Sequence, residues 1–382
     1  MKKPDTVPLL DLGRQYRQIR EQVLAAVERV CASQQFILGA EVEALEREIA
    51  AFTGAAAAVG CASGTDALWL ALAAEGVGPG DAVITTAFSF FASASAIVRA
   101  GAAPVLVDVL PGTLNLDPAQ VRARLNSSGA GKIAAILPVH LYGQCVDMDE
   151  FDAISQEFNV PVVEDAAQAI GASWRDRRAG ALGATAAFSF YPTKNLSAYG
   201  DAGLVTARDP ETAEHMRRLR NHGSPRRYYH EEIGWNARMD AIQAAVLRVK
   251  LPYVESWNQR RRERAANYDH LLANAGLLAP AESPIRLLER TSAAHHVFHQ
   301  YVVRVQRRDE LRSFLSDRRI GTEIYYPIPL HLQPCFTYLG HREGDLPESE
   351  RAASEVLALP MFPELTEDEQ KWVVESLAAF YS

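Results

Sequence analysis

The sequence predicts an α/β protein: a large domain built on a mostly parallel sheet, followed by a smaller C-terminal α+β domain. Three observations carry this. At 382 residues the chain is too long for one small core, so two domains are expected. From about residue 56, short runs that are apolar throughout alternate with helix-like stretches, as parallel strands covered on both faces do. After Met239 that rhythm gives way to long helical stretches and then to a strand–helix–strand pattern. We place the large domain at residues 1–255, including its N-terminal helices, and the small one at 256–382.

Two helices open the chain. Ile19, Val23, Ala26, Val27 and Val30 recur at three- and four-residue steps, as do Val42, Leu45, Ile49 and Phe52, with Gly39 and Gly54 as punctuation. Strands are expected at Ala57–Cys61, Ala82–Thr86, Pro104–Val109, Ile133–Val139 and Val160–Val163. Between them lie helical runs at Asp66–Ala74, Ala92–Ala100, Pro118–Leu125 and Met148–Phe158. Asp117 before Pro118 makes a good helix start, an N-cap followed by proline in the first turn. Thr185–Phe190 and Leu204–Thr206 continue the sheet, and the short Gly-rich link before the latter allows it to run antiparallel. Asp240–Lys250 and Tyr253–Ala273 are helical, interrupted at Pro252 by a kink. Beyond Pro280 come a strand (Val297–Val305), a helix (Asp309–Arg318) and a strand (Glu323–Tyr326). A loop with His331 and Pro334 and two further helices complete the chain.

Composition narrows the class. A net charge of −8 argues against nucleic acid as the main partner, and the basic clusters Arg217-Arg218 and Arg260-Arg261-Arg262 read as solvated helix faces. Cys31, Cys61, Cys145 and Cys335 lack CxxC spacing and partnering histidines, so buried free thiols are expected rather than disulfides or a metal site. No signal peptide and no apolar run long enough to span a bilayer is evident, which predicts a cytoplasmic protein without a membrane partner.

The chemistry concentrates in four motifs. In Ala187–Gly203, Lys194 lies just beyond an apolar strand, in a loop punctuated by Pro192 and Gly200. A lysine there is ill-suited to packing and well suited to condensing with a carbonyl. In Val162–Gly171, Asp165 stands at a strand's carboxyl end, where open α/β sheets place their ligands. Amine and carboxylate are the two protein groups that pyridoxal phosphate chemistry needs. The carboxylate keeps the pyridine nitrogen protonated, while a lysine freed near neutrality serves as general base. Asp165 also reads as a helix N-cap, and Gln168, one turn further, can bond the ring hydroxyl.

Cys61-Ala-Ser-Gly-Thr-Asp66 joins a strand to a helix, where free N–H groups and the hydroxyls of Ser63 and Thr65 can hold a phosphate; an ordinary cap is the other reading. Ser189 can add a hydroxyl. Thr86-Ala-Phe-Ser-Phe-Phe91 offers an apolar face for a planar ring, from Phe90 or its rival Phe88.

These segments, with Gly200-Asp-Ala-Gly203, Gly234-Trp-Asn-Ala-Arg-Met-Asp240 and Tyr326-Pro-Ile-Pro-Leu-His331, resemble the DegT/DnrJ/EryC1/StrS family of sugar aminotransferases over nearly the whole chain. The resemblance implies a fold-type-I transferase, its large domain carrying a mostly parallel sheet of the seven-stranded type. It implies a homodimer that uses pyridoxal 5′-phosphate, with pyridoxamine 5′-phosphate as intermediate, to aminate a nucleotide-linked keto sugar. Gly64, Thr65 and Ser189 would bind phosphate, Phe90 would stack, Asp165 would hold the pyridine nitrogen, Gln168 its hydroxyl, and Lys194 would carry the cofactor. Asn236 matches a position that reaches the neighbouring subunit's phosphate; Arg238 and His331 fall where relatives contact the sugar nucleotide, although Arg238 also reads as a helix-start partner. Glutamate is the expected amino donor. A dTDP-linked 3-keto-6-deoxyhexose is the favoured acceptor, with UDP-linked sugars, 4-keto sugars and aminocyclitol precursors open. Family members that dehydrate carry histidine in place of this lysine, so Lys194 argues for amino transfer. A regulatory role is a separate alternative, opposed by the acidic balance.

Overall fold

In the computed structural model, residues 4–127, 131–278 and 283–382 are described; Pro280 lies outside them. Helices α1 (Leu12–Ser33) and α2 (Ala40–Thr53) bury the apolar positions whose spacing predicts them, among them Ile19, Val23, Val30, Val42, Leu45 and Ile49. Seven strands follow: β1 (Ala57–Cys61), β2 (Asp81–Thr86), β3 (Ala103–Val107), β4 (Lys132–Leu137), β5 (Val163–Asp165), β6 (Thr185–Ser189) and β7 (Gly203–Ala207). Their order is β1-β7-β6-β5, continued by the parallel bridges Ile136–Val162 and Val139–Asp165 to β4-β2-β3. Only β7 runs against its neighbours, pairing antiparallel with β1 and β6. The sheet is therefore mostly parallel, and the Gly-rich link before β7 does permit the reversal.

Helices α3 (Gly64–Ala74), α4 (Ala92–Arg99), α5 (Pro118–Asn126) and α6 (Met148–Phe158) connect β1 to β5 in turn, and α7 (Pro210–Leu219) follows β7. Asp117 caps α5 as expected, accepting from Ala119 N at 2.9 Å. One core packs α2, α6 and α8 (Ala241–Lys250) on one face of the sheet, and another packs α3, α4 and α7 on the opposite face. A 3₁₀ turn, Leu251–Tyr253, carries Pro252 between α8 and α9 (Val254–Asn274), giving the expected break. Val254 belongs to the first core, whereas Ala265, Tyr268 and Leu272 of the same helix enter a further core. That core is built on β8 (Ile285–Leu287), β9 (Tyr301–Val305) and β10 (Val356–Leu359), with α10 (Arg308–Asp317), α11 (Pro347–Glu355) and α12 (Glu367–Tyr381). Val7 joins it too, pairing with Ile320.

Four expectations are corrected. The strand expected at Val160–Val163 is displaced to Val163–Asp165, because Pro161 has no N–H and only its carbonyl pairs, with Ile136 N. The strand expected from Val297 begins at Tyr301; the carbonyls of Val297, Phe298 and His299 are taken by Asn195 and Arg261. Of Glu323–Tyr326 only Glu323 pairs, with Ala358, since the Tyr142 hydroxyl takes the carbonyl of Tyr325 and the Tyr326 hydroxyl meets Gln168. All four cysteines are free, but Cys31 on α1 and Cys335 in a 3₁₀ turn are exposed rather than buried. Among the described residues no helix is long and apolar enough to cross a membrane.

Candidate active site

The site forms at the carboxyl ends of β1, β5 and β6. At the end of β1, Ser63 caps α3 by accepting from Asp66 N at 3.1 Å. Gly64 then lies so close to β6 that a Cβ there would stand 2.5 Å from Ser189 Cβ. A Cβ on Gly203 would likewise meet Ser63 O at 2.2 Å. The two glycines let β6, β7 and the start of α3 converge, leaving the Ser189 hydroxyl and the half-buried Thr65 beside free helix N–H groups. Such a cradle could hold an anion.

Asp165, 4% exposed, ends β5. Its Oδ2 accepts from Ser93 Oγ at 2.7 Å and its Oδ1 from Ala167 N at 3.2 Å. No helix follows Asp165, so the N-cap reading is corrected to a turn held by Ala167 N, while the other oxygen faces α4. Ser93 is paired in turn with Ser89 at 2.9 Å. Burial pushes the Asp165 carboxyl up, opposed by Ser93, Ala167 N–H and the charges of Lys194 and His140. Glu164, its neighbour, points to the opposite side of the strand, where it accepts from His140 and three backbone N–H groups. Sequence places two acids together; the pleat gives them separate tasks.

Lys194 follows β6 in a turn closed by its own N–H on Tyr191 O at 2.8 Å. Burial lowers its ammonium to about 8, and the facing charge of Asp165 limits the fall. Gln168 accepts from Tyr142 N at 2.5 Å and donates to the Tyr326 hydroxyl at 3.1 Å. The two rivals are placed differently. Phe88 is wholly buried against Tyr326, whereas Phe90 is 58% exposed with its centroid 6.1 Å from the Tyr326 ring.

Hydrogen bonds, ring contacts and charge interactions thus tie Asp165, Gln168, Phe90 and Lys194 together, with Gly64, Thr65 and Ser189 at the cradle. Asn236 and Arg238 lie on the segment after β7, which returns to the cradle: Arg238 bridges to Cys61, and Ala62 N donates to Ala237 O at 3.1 Å. Asn236 itself is exposed, and its Oδ1 accepts from Arg238 Nε at 3.0 Å. His331 is 2% exposed, with Nε2 3.0 Å from Glu350 Oε1, and none of its contacts reaches Lys194 or Asp165. Ser93, Tyr142 and Tyr326 were missed. Nothing local marks a serine in a helix, or a tyrosine 158 residues from its glutamine, as part of a site.

The residues fit a pyridoxal phosphate group. Asp165 is a buried carboxylate whose charge is penalised until a cation, such as a protonated ring nitrogen, faces it. Phe90 offers an uncovered ring face, and the Gly64–Ser189 cradle leaves room only where a side chain is lacking.

Fold and site define a fold-type-I transferase whose half-buried Lys194 and buried strand-end Asp165 interact by charge. The model of the DegT/DnrJ/EryC1/StrS aminotransferase family matches residues 17–378, and the chain belongs to that family. It is 50% identical to the Pleiotropic regulatory protein of Geobacillus stearothermophilus over 98% of each chain. It is 43% identical to the dTDP-3-amino-3,4,6-trideoxy-alpha-D-glucose transaminase of Streptomyces venezuelae, over 97% of this chain and 95% of that one. Identity to the UDP-N-acetyl-3-dehydro-alpha-D-glucosamine 3-aminotransferase of Acidithiobacillus ferrooxidans is 40%, over 97% and 96%. Among solved structures, S. venezuelae DesV in complex with a ketimine intermediate superposes with a TM-score of 0.93 at 43% identity, covering 98% of both chains. NtdA from Bacillus subtilis with bound cofactor PMP does so with 0.89 at 30%, covering 98% and 85%.

Proposed function

We propose that this aminotransferase uses pyridoxal 5′-phosphate to aminate the keto carbon of a nucleotide-linked sugar, taking the amino group from glutamate. The single observation that carries the reading is Lys194, its amine lowered to about 8, facing the buried Asp165 beside an uncovered Phe90 ring. When bound, the cofactor supplies an electron sink and ferries the amino group as its pyridoxamine form. Asp165 holds positive charge at the ring nitrogen. Gly64, Thr65 and Ser189 grip the phosphate, Phe90 covers the ring, and Gln168 meets its hydroxyl. Lys194, neutral in a substantial fraction near pH 8, takes and returns the proton on the substrate carbon at its Nζ.

The favoured acceptor is a dTDP-linked 3-keto-6-deoxyhexose. Supporting it is the motif Ser189-Phe-Tyr-Pro-Thr-Lys-Asn-Leu196, together with the 43% identity to a dTDP-sugar transaminase. The near-equal identity to a UDP-sugar enzyme keeps that class as the second reading. We read the chain as a homodimer in which Asn236 reaches the partner's cofactor phosphate, and Arg238 and His331 the sugar nucleotide.

The test is a panel of dTDP- and UDP-linked 3- and 4-keto sugars, assayed with glutamate and read by product mass and regiochemistry. Amination at C3 of the dTDP sugar is expected. Glutamate alone should bleach the lysine-linked visible absorbance of the pure protein, and persistence of that band would overturn the donor assignment. The 50% identity to a protein named as a regulator favours one rival. A regulator retains its effect when Lys194 becomes alanine, whereas this enzyme loses turnover.

A further inference from the structure

Directly after Lys194 the chain turns its next side chain inward. Asn195 is 4% exposed, Asn258 on α9 is 0% exposed and His299, ahead of β9, is 7% exposed. Asn195 Nδ2 donates to Asn258 Oδ1 at 2.7 Å and to Val297 O at 3.3 Å. Asn258 Nδ2 donates to Ile170 O at 3.0 Å. Asn195 Oδ1, which can only accept, lies 3.1 Å from His299 Nδ1. An amide oxygen has no hydrogen to give, so the network assigns the imidazole hydrogen to Nδ1. Every bond then runs one way, from His299 through Asn195 and Asn258 to the carbonyl two residues beyond Gln168.

The imidazole stays neutral. Burial lowers its pKa well below the ordinary histidine value, and the positive charges of Lys194 and Arg261 lower it further. Lys194 and His299 are therefore near enough for one charge to bear on the other. His299 also lines a cleft with Thr193, the residue before Lys194, and with Tyr325.

Packing alone does not call for this trio. Apolar side chains of similar size would fill the same space without the cost of desolvating two amides and an imidazole. What an apolar cluster cannot do is fix direction. The three residues join the turn that carries Lys194, the turn after Asp165 and Gln168, and the approach to β9. These segments are distant in sequence, and the site needs them in one register.

We propose that Asn195, Asn258 and His299 are positioning residues for amino transfer, whose one-way hydrogen-bond chain fixes the Lys194 backbone against the Asp165–Gln168 turn and so places Nζ. The proposal rests on Lys194 being the cofactor lysine.

The test compares His299→Asn, His299→Gln and His299→Leu in the holoenzyme. Asparagine sets an amide N–H where Nδ1 stands, glutamine sets one at the Nε2 position instead, and leucine supplies none. The readouts are the midpoint of the pH titration of the cofactor's visible absorbance and the split between kcat and KM for the keto sugar. Leucine and glutamine should shift the midpoint and lower kcat roughly tenfold or more, with KM little changed. Asparagine should restore most of both. The proposal fails if His299→Leu titrates and turns over like the wild type. It also fails if His299→Asn, folded by thermal melting, is as impaired as His299→Leu. Should leucine prevent folding, the other two decide: asparagine better than glutamine supports the chain, and glutamine equal or better overturns it. The underlying reading fails separately, if the wild-type holoenzyme shows no visible absorbance that Lys194→Ala abolishes.

Discussion

Asp165 shows how a residue can be unfavourable alone and necessary in company. Its carboxyl is pushed up by burial, so as an anion it weakens the empty protein. Facing a protonated ring nitrogen at about 3 Å, it would gain roughly 5 kcal/mol at an effective dielectric of about 20, before desolvation. Even if half of that is lost to desolvation, about 100-fold in rate remains. Asp165→Asn should therefore lower kcat about 100-fold or more. Asparagine carries no charge, its Oδ1 can still accept from Ala167 N, and its Nδ2 can donate to Ser93 Oγ, whose hydrogen then turns to Ser89, so the apoprotein should melt no lower than the wild type. Melting and steady-state kinetics on the same preparation check both; a large fall in apoprotein Tm would show the charge to be structural. At this scale the sequence is legible where identity itself carries chemistry, as it does for Lys194, Asp165 and the Gly64 turn. It is silent where an ordinary residue acquires a role by contact. Ser93 on Asp165 and Tyr326 on Gln168 are such residues, each separated from its partner by a long stretch of chain.

Among the elements, α8 does more than cover the sheet. Its last residue, Lys250, is 1% exposed, and its Nζ donates to Ser197 O at 2.8 Å and Ser197 Oγ at 3.0 Å while lying 4.4 Å from the centre of the Tyr199 ring. Gln243, on the same helix, accepts from Tyr199 N at 2.8 Å. The loop after Lys194 is thus strapped to α8, although its stretch Leu196–Tyr199 lacks glycines to shape it. Burial lowers Lys250 from 10.5 to about 7. Below about pH 7 both folded and unfolded chains hold this proton, and the folded state bears the buried charge in full. From there to about pH 10.5 only the unfolded chain holds it, so stability from this residue rises with pH. Lys250→Met removes the titration. Its Tm relative to wild type should be more favourable at about pH 6 than at about pH 9, by an equivalent of roughly 2–3 kcal/mol. A constant difference across that range would mean that Lys250 is not desolvated as placed. Periodicity makes α8, α9 and six of the seven sheet strands legible, because burying one face or two leaves a pattern along the chain; β5, displaced past Pro161, is the exception. Glu323–Tyr326 has that pattern too, yet side chains of the site claim its backbone before a strand can.

The whole molecule leaves an unfinished surface. Tyr228 is 82% exposed, Ile233 90% and Trp235 42%, on the segment that ends at the exposed Asn236. Water is a poor neighbour for such side chains, and a second copy of the chain would cover them. If Asn236 serves the partner's phosphate, each active site draws Lys194 from one subunit and Asn236 from the other. Two dead variants, Lys194→Ala and Asn236→Asp, can then repair each other. The aspartate would set a negative charge against the phosphate, and its own Lys194 would remain intact. After dissociation and equal mixing, half of the dimers are mixed, and each mixed dimer has one site carrying both lesions and one carrying neither. Amino transfer should return to about a quarter of the wild-type rate. If Asn236 acts within its own subunit, every site in the mixed dimer keeps one lesion and no activity returns. Co-purification through a different affinity tag on each variant shows whether mixed dimers have formed, so a silent assay on a fully exchanged sample would place Asn236 on its own subunit's phosphate.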